Sequence, residues 1–411
     1  MVYLDSRKVG NVMKERGFTL IELLAVIVIL AIIALIATPV ILGIINNAKE
    51  ESDKRSIEMY AKAIENAVVT HQLTKNENIA GSFNTTDGEN LILIGETEPK
   101  LTIDYNGNVV CNTIEIYADG TLYLANCKVN KEEVETIYGN KASFATDDWG
   151  TILSNIKAGY MYEVGQTREI SLTGFTNEEK DENGNNIGTY TIRIANKTNA
   201  GDVCTKEYLE KEDGTKETYS KTACGFVIEF VDIITKHNMN PVGEYKGVQY
   251  DNGWNVDGYP ASSMYAYIKN DIYNALPKEL KDIIIDTTVV SSHGITSGET
   301  NFVSTDKLYL LSTQEILEQG TSKTINNDTA RKLTRQLDYY KYYKNTDESI
   351  GVTTSNYSGA IKKYNGNAWS WWLRSAPSFN TKYFYFVNNH GSWNYTSAYN
   401  EVGVAVAFRL G

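Results

Sequence analysis

Residues 14–24 read KERGFTLIELL and run directly into an unbroken apolar segment, Leu23–Ala37. Extended through residues 40–42, the apolar character is long enough for a helix to cross a bilayer, which takes about 20 residues. Two basic residues of the quoted stretch precede the segment, so the positive-inside rule predicts a cytoplasmic N-terminus. A carboxylate such as Glu22 costs roughly 2.5–3.5 kcal/mol within a membrane helix, and such residues are usually functional and paired.

The motif Gly-Phe-Thr-Leu-Ile-Glu-Leu at residues 17–23 resembles the N-terminus of type IV pilins and of the related pseudopilins. The resemblance implies that a prepilin peptidase cleaves after Gly17 and that the new amino group of Phe18 is methylated. It also implies that Glu22 neutralises this amino group on a neighbouring subunit during assembly. Pro39 lies inside the helical pattern, where it removes a hydrogen bond, and pilin helices loosen near such a proline inside the fibre.

Residues 1–17 are interpreted as a cytoplasmic leader, and the sequence leaves open whether it starts at Met1 or Met13. The alternative to a prepilin motif is an ordinary signal anchor that contains one glutamate. A secretory signal peptide is disfavoured because no cleavage site of the Ala-x-Ala kind closes the apolar run.

The predicted helix, residues 18–73, reaches roughly 80 Å at 1.5 Å per residue. Its second half carries one apolar stripe at helical spacing, which predicts that this half packs on a sheet. We interpret the last member of the stripe, His71, as a packing or solvent-facing residue rather than a ligand. The stripe comprises Ile57, Tyr60, Ala61, Ile64, Ala67, Val68 and His71.

Two strands are predicted next, Val109–Tyr117 and Thr121–Lys128. The three residues between them, Ala-Asp-Gly, suit a hairpin loop with glycine in the left-handed conformation. Pairing across this loop places Cys111 opposite Cys127, which predicts a disulfide from the hairpin geometry. The region resembles the small disulfide-closed sheet of clostridial-type pilins, so we expect a pilin β-domain over residues 74–140.

The remaining cysteines, Cys204 and Cys224, bracket a Lys/Glu-rich segment. An exported chain with four cysteines and no Cys-x-x-Cys motif predicts two disulfides rather than a zinc or redox site. Residues 139–143 read as a short linker to an appended domain, residues 145–411.

The appended domain is predicted to begin with two strands, Thr167–Leu172 and Thr189–Ala195. The oxygen-rich loop between them, residues 181–185, offers ligands that Ca²⁺ prefers, although polar hairpin tips are common without metal. Further on we predict a buried strand, two helical segments around Pro277, a short strand and a helix. These are Gly225–Ile234, Ser262–Leu276, Lys278–Ile285, Lys307–Ser312 and a helix from Glu315 onward.

Two late segments carry a second resemblance, WWLRS at residues 371–375 and the Gly-Val strand Gly403–Leu410. They are similar to an uncharacterised domain common on Firmicutes surface proteins. The ending also looks like the C-type-lectin-like fold of formylglycine-generating-enzyme relatives, although residues 405–406, Ala-Val, replace the usual Arg-Pro. Those relatives use cysteines in this domain, and none follows Cys224 here, so the resemblance implies an architecture rather than an activity.

Residues 379–400 are rich in Asn, Tyr and Phe, with a predicted strand Tyr383–Val387 and a turn at residues 388–391. This composition is typical of antibody paratopes and resembles the variable segment of lectin-fold receptors diversified by adenine-directed mutagenesis. The alternative is an ordinary surface sheet in a chain with 28 tyrosines. The predicted ligand contacts are Tyr383, Tyr385, Asn388, Trp393 and Tyr395.

The net charge, the histidine spacing and the missing catalytic motifs argue against several classes of function. The net charge of −12 over 411 residues does not indicate a nucleic-acid partner. The four histidines lack metal-binding spacing, and neither a Gly-rich phosphate loop nor a Gly-x-Ser-x-Gly motif is present. We therefore expect no enzyme activity and, apart from the Ca²⁺ considered above, no cofactor.

Together these patterns predict an α+β protein: a long N-terminal pilin helix packed on a small antiparallel sheet, followed by a mixed α/β lectin-like domain. The expected function is that of a minor type IV pilin, with a place at the filament tip left open. Its expected location is the cytoplasmic membrane before assembly and the cell surface afterwards. Expected partners are other pilins, the prepilin peptidase and methyltransferase, the assembly platform, and a host glycan or protein. The alternatives are a pseudopilin of a secretion machine and a membrane-tethered envelope hydrolase.

Overall fold

A computed structural model describes residues 19–105, 107–175, 188–250, 257–295, 300–317, 325–342 and 358–411. The predicted leader with Gly17, the methylation position Phe18 and the loop considered for Ca²⁺ lie outside the described residues. The α+β class is confirmed, because one long helix precedes a series of antiparallel sheets.

Helix α1, Leu20–Lys75, is 56 residues long and ends at Asn76, whose left-handed backbone (φ 54°) stops it. Its first buried residue is Ile57, so everything before that point is open to the surroundings. The predicted stripe is confirmed in the second half, where Ile57, Tyr60, Ala61, Ile64 and Val68 are buried. The helix is thus packed along its C-terminal third and bare along the rest.

The helix packs on a six-stranded antiparallel sheet with the order β3-β2-β1-β4-β5-β6. The core between them is almost wholly apolar and includes Phe83, Leu91, Ile114 and Leu124. The strands are β1 (Gly81–Asn84), β2 (Asn90–Leu93), β3 (Pro99–Thr102), β4 (Val109–Ile116), β5 (Leu122–Val129) and β6 (Glu132–Val134).

The predicted hairpin register is confirmed. Cys111 pairs with Cys127 across β4 and β5 and the two form a disulfide. At the loop the Tyr117 N–H donates to the Thr121 carbonyl at 3.0 Å, and Gly120 takes the expected left-handed conformation (φ 82°). The turn chemistry alone therefore fixed the position of the disulfide.

The C-terminal half is built on two larger sheets and several hairpins. The first sheet has the order β15-β25-β11-β8-β7 with β18 also paired to β25, and the second has the order β12-β24-β21-β22-β23. Cys204 and Cys224 form the second predicted disulfide. The strands are β7 (Thr167–Leu172), β8 (Gly188–Asn196), β9 (Tyr208–Glu210), β10 (Lys216–Thr218), β11 (Phe226–Phe230), β12 (Thr235–His237), β13 (Gly243–Tyr245), β14 (Val248–Tyr250), β15 (Ile284–Ile285), β16 (Thr287–Ser291), β17 (Phe302–Asp306), β18 (Tyr309–Leu310), β19 (Lys362–Tyr364), β20 (Asn367–Trp369), β21 (Trp371–Trp372), β22 (Tyr383–Val387), β23 (Trp393–Ser397), β24 (Val402–Val404) and β25 (Val406–Leu410).

The helices of this half are short. Several 3-10 turns and one π turn accompany them, at Tyr259–Ala261, Ile268–Ile272, Ile325–Asn327, Arg331–Leu333 and Ser358–Ala360. The α-helices are α2 (Trp149–Ala158), α3 (Asp202–Thr205), α4 (Ser263–Tyr267), α5 (Tyr273–Ala275), α6 (Lys278–Lys281), α7 (Thr313–Ile316) and α8 (Asp338–Tyr342).

Five predicted elements of this half need correction. The strand predicted over residues 225–234 ends at Phe230, and the helix predicted from Glu315 onward is the short α7, which ends at Ile316. The helical segment 262–276 is interrupted by the π turn between α4 and α5. The segment 278–285 is helical only through Lys281, because Ile284 and Ile285 pair with β25 instead. The strand predicted over 307–312 shortens to β18, since Ser312 caps α7 with its hydroxyl and Glu315 completes the capping box. For residues 284–285 a long-range strand pairing overrode the local pattern, and for residue 312 a capping contact did so.

The linker predicted at residues 139–143 is a fixed part of the fold. The Ala142 N–H donates to the Tyr117 hydroxyl at 2.8 Å, and Ala142 itself is buried. Gly139 has φ +77°, and a Cβ there would lie 1.8 Å from the Leu122 carbonyl oxygen, so only glycine fits. The chain therefore crosses from one half to the other without a flexible tether.

A buried polar network joins the two halves. The Glu115 carboxylate accepts hydrogen bonds from the Tyr117 hydroxyl at 2.8 Å and from the Tyr160 hydroxyl at 3.2 Å. The Ala118 N–H donates to the Asn155 side chain at 3.0 Å, so the β4–β5 loop is held by α2. Tyr117 belongs to the same hydrophobic cluster as the C-terminal sheets. We call this contact set the junction.

Candidate functional sites

The bare part of α1 is the first candidate site. Among the described residues, α1 is the one helix long and apolar enough to span a membrane, with a mean hydropathy of 3.2 over its apolar window and none of that window buried. Such a surface is unstable in water and requires lipid or other apolar helices around it.

Glu22 lies at the very start of this helix. Its carboxylate accepts hydrogen bonds from the Thr19 N–H and the Thr19 hydroxyl, each at 2.9 Å, while its own N–H donates to that hydroxyl at 3.3 Å. This capping box places a negative group at the positive end of the helix dipole. A carboxylate in this position can form an ion pair with an ammonium group of another chain.

Pro39, the other predicted assembly residue, lies inside an uninterrupted helix. Beside it the Thr38 hydroxyl donates to the Ala34 carbonyl at 2.6 Å. The proline cannot donate to the carbonyl of Leu35, so this turn of the helix has one main-chain hydrogen bond fewer than its neighbours.

Lys49 is a residue that the sequence did not single out. Its ammonium forms an ion pair with Glu132, which lies in β6. The contact marks the level at which α1 meets the sheet, a few residues before the first buried position. Only the folded structure could reveal it, because 83 residues separate the partners.

The second candidate site is the surface of strands β22 and β23. The side chain of Tyr385, one of the predicted ligand contacts, is fully buried in the core, so this structure does not present it at the surface. Tyr383, Trp393 and Tyr395 are half-buried, and the structure brings them together across the hairpin. The Tyr383 and Tyr395 rings stack with centroids 5.0 Å apart.

Asn388 has a local role. Its side-chain oxygen accepts the N–H groups of His390 at 2.9 Å and Ser392 at 3.0 Å, which closes the predicted turn between β22 and β23. Phe379 is an aromatic residue that the sequence reasoning missed. It is 40% exposed, and its ring lies 5.2 Å from that of Tyr395.

The WWLRS motif has a structural explanation. The Arg374 guanidinium is fully buried and donates to both Glu315 carboxylate oxygens, at 2.6 and 2.7 Å. Its remaining donors reach the Val290 and Leu310 carbonyls and the Thr222 hydroxyl. Burial opposes ionisation of Glu315, but the adjacent Arg374 holds its pKa below the ordinary value.

A second buried charge cluster centres on Glu229. Its carboxylate accepts from Arg193 at 2.8 Å, from Lys362 at 3.0 Å and from the Tyr340 hydroxyl at 2.8 Å. Burial lowers the pKa of Lys362 to about 8, against the attraction of Glu229. In both clusters the buried charged groups are paired with one another, so removing one partner would leave an uncompensated buried charge.

Within the described ranges, no group of three or more His, Cys, Asp or Glu side chains is arranged to hold a metal ion.

Comparisons with known proteins find matches at both ends of the chain. The family described as the prokaryotic N-terminal methylation motif matches residues 12–38. The chain carries a prepilin-type methylation motif. It is also similar to the type II secretion system core protein G of Escherichia coli (strain K12), with 33% identity over 94 residues. That match covers 23% of this chain and 59% of the length of the relative.

Residues 231–411 match a domain of unknown function (DUF6273). The sheet that carries its last strand, β25, also contains β7, β8 and β11, so the folded unit begins well before residue 231. No solved structure matches the chain. The resemblance to pilins and pseudopilins is confirmed, and with it a protein of the pilin or pseudopilin type that has an apolar N-terminal helix suited to a membrane.

Proposed function

We propose that this chain is a minor type IV pilin subunit that carries an adhesin-like head on its C-terminal half. The observation that supports the proposal best is the bare apolar helix with Glu22 at its start, joined rigidly to a folded half far larger than the pilin sheet. In the proposed route a prepilin peptidase cleaves between Gly17 and Phe18 and a methyltransferase modifies Phe18. The assembly platform then moves the helix from membrane to filament. The proposal gives the head no catalytic role.

Because α1 is apolar, its transfer from the membrane to the filament can have a small free-energy cost. Lipid chains are as apolar as the side chains of neighbouring helices, so moving α1 between the two changes the hydrophobic free energy little. Specific polar contacts then decide the register of the subunits. A Glu22 carboxylate in an apolar filament core is costly unless it meets a cation, and the amino group of Phe18 on a neighbouring subunit supplies one.

The substitution Glu22→Ala tests this route. We expect normal leader cleavage but at least a tenfold lower content of the chain in sheared filaments, measured by quantitative immunoblotting. Glu50→Ala is the matched control, because Glu50 is an exposed carboxylate on the same helix beyond its apolar segment. Normal incorporation of the Glu22 variant would contradict the assembly mechanism.

A pseudopilin is the second candidate, and the similarity to the secretion protein over 94 residues favours it. Deleting the gene distinguishes the two. A pseudopilin deletion blocks protein secretion and leaves filaments intact, whereas deletion of a minor pilin changes filament number or adhesion. Immunogold labelling of the head gives a direct view: gold on filaments supports the pilin, and gold confined to the envelope supports the pseudopilin.

A further inference from the structure

The second sheet of the head ends in strand β23, where aromatic residues pass from the core to the surface. On one face of the β22–β23 hairpin, Tyr385 and Val387 are fully buried while Tyr383 and Tyr395 are half-exposed. Phe379 packs edge-on against Tyr395 at 5.2 Å and against Tyr383 at 6.4 Å. We call Phe379, Tyr383 and Tyr395 the aromatic rim.

The rim is held in place before any ligand arrives. Tyr383 and Tyr395 stack on each other, and Tyr395 also contacts the buried Tyr385 ring at 6.4 Å. The hairpin that carries them is closed by the Asn388 turn. Rings fixed in this way lose little conformational entropy on binding, which is the property that makes tyrosine effective in binding surfaces.

Addition of a partner strand to this edge is disfavoured. The bonded pairs at the two ends of the hairpin, Lys382 with Ala398 and Asn388 with Ser392, show that the Tyr395 N–H points away from β22. That N–H donates instead to the Asn394 side chain at 2.8 Å. One of the outward-facing N–H groups of this edge is therefore already used, which weakens main-chain pairing here and favours recognition by side chains.

The side chains around the rim are neutral and polar. Of the polar residues of β23, Ser397 shares the face of Tyr395, whereas Asn394 and Thr396 lie on the opposite face. Asn380 and Thr381 follow Phe379 directly in the chain, and Lys382 is the one charged residue of the segment 379–400. A nucleic acid would need a basic surface, which this segment lacks. Aromatic faces next to amides and hydroxyls suit a ligand with apolar C–H faces and many hydroxyl groups.

We propose that the aromatic rim binds a neutral carbohydrate, with a sugar ring against the tyrosine and phenylalanine rings and its hydroxyls hydrogen-bonded to the neighbouring amide and hydroxyl side chains. The inference rests on the proposed adhesin role and gives that role a ligand class. It differs from the sequence prediction in two ways: it includes Phe379, and it assigns Tyr385, Asn388 and Trp393, whose ring packs on that of Tyr385, to support rather than contact.

The test uses the full-length chain in detergent, probed on an array of immobilised neutral and acidic oligosaccharides. We expect retention on one or more neutral sugars and at least a tenfold weaker Kd for Phe379→Ala and for Tyr395→Ala. The conservative change Tyr395→Phe keeps the ring and is expected to retain most of the binding, which separates loss of the ring from loss of fold. Trp369→Ala is the matched control, since Trp369 is 42% exposed on the separate β19–β20 hairpin.

Three results would overturn the inference: no neutral sugar bound by the wild type, binding of acidic sugars alone, or rim variants that bind as well as the wild type. Filament incorporation of the same variants is measured in parallel. If the chain enters filaments but binds no sugar, the proposed sugar site is wrong and the pilin proposal still holds. If the chain binds neutral sugar but never enters filaments, the pilin proposal is wrong and the proposed sugar site still holds.

Discussion

The pilin body, residues 57–138, and the head, residues 142–411, are stabilised in different ways. The body has an almost purely apolar core closed by one disulfide within a hairpin. The head encloses fully buried ion pairs whose partners lie far apart in sequence, 59 residues for Arg374 with Glu315 and 133 for Lys362 with Glu229. Among the described residues, Glu115 is the one buried charged residue of the body, and it faces the junction. Local patterns thus specify the body, whereas long-range charge pairs specify the head.

The largest expected effect comes from breaking the Arg374 pair. Arg374→Met leaves the Glu315 carboxylate buried without its partner, which costs about 3–5 kcal/mol of unfolding free energy. Denaturant unfolding of the detergent-solubilised chain, followed by tryptophan fluorescence, measures the loss. The exposed pair of Lys278 with Asp282 supplies the control Lys278→Met, for which we expect no measurable change. A loss below about 1 kcal/mol for Arg374→Met would show that the head does not depend on this pair.

Removing the body disulfide is expected to cost somewhat less. The bond between Cys111 and Cys127 spans 16 residues, and the chain-entropy relation gives about 3 kcal/mol for a loop of that size. In the Cys111→Ala/Cys127→Ala variant, hydrogen exchange should quicken in peptides covering residues 109–129 and stay unchanged in β25. Equal quickening in both halves would mean that the two cores unfold as one unit.

The Glu229 cluster predicts a pH dependence that belongs to the head. Because burial lowers the pKa of Lys362 to about 8, the folded chain releases this proton before the unfolded chain does. The unfolded state then binds more protons, so stability rises with pH from about 8 towards the ordinary lysine value. At about 1.4 kcal/mol per pH unit, the expected contribution of Lys362 is about 1–2 kcal/mol between pH 8 and 9.5, measured as the difference between the wild type and Lys362→Met.

Lys362→Met is expected to remove this rise, since the charged partners of Lys362 in the cluster, Glu229 and Arg193, stay in one charge state over the window. Buried tyrosines oppose the trend at higher pH, because burial raises the pKa of groups such as Tyr309. Thermal unfolding at half-unit steps up to pH 9.5 provides the measurement. An identical slope in the variant and the wild type would assign the effect to other residues.

The smallest effect is expected at the base of the bare helix. Lys49 and Glu132 are both largely exposed, so their ion pair is screened by water and salt. Lys49→Ala should leave the unfolding midpoint of the body within experimental error. A clear loss of stability would show that this contact orients α1 on the sheet.

The difference between body and head also explains which structural features could be predicted from the sequence. Features that join residues close together in sequence were predictable. These are the helix stripe, the hairpin register and both disulfides. The Arg374–Glu315 pair was not predictable, although both residues lie in segments that the sequence had marked. Charged residues give no sign of their burial until the partner is known.

The candidate contact residues were only partly predictable for a related reason. The sequence predicted a strand over residues 383–387 with Tyr383 and Tyr385 as ligand contacts. In the folded head the middle of this strand is covered on both sides, so Phe384 and Tyr385 are both fully buried. Exposure in such a sheet depends on distance from its edge, which a single sequence does not contain. Phe379 was missed because it lies before the strand and joins the rim only through tertiary packing.

The junction has a consequence for how such proteins diversify. The head contacts the body directly through Tyr117, Ala118 and Ala142 instead of being connected by a flexible linker. Part of the surface that holds the head therefore belongs to the sequence of the body. Exchanging this head for another by recombination at residue 140 would leave Glu115 without the Tyr160 hydroxyl and expose the tip of the β4–β5 hairpin. A functional exchange of heads is therefore expected to carry the β4–β5 hairpin along with the head.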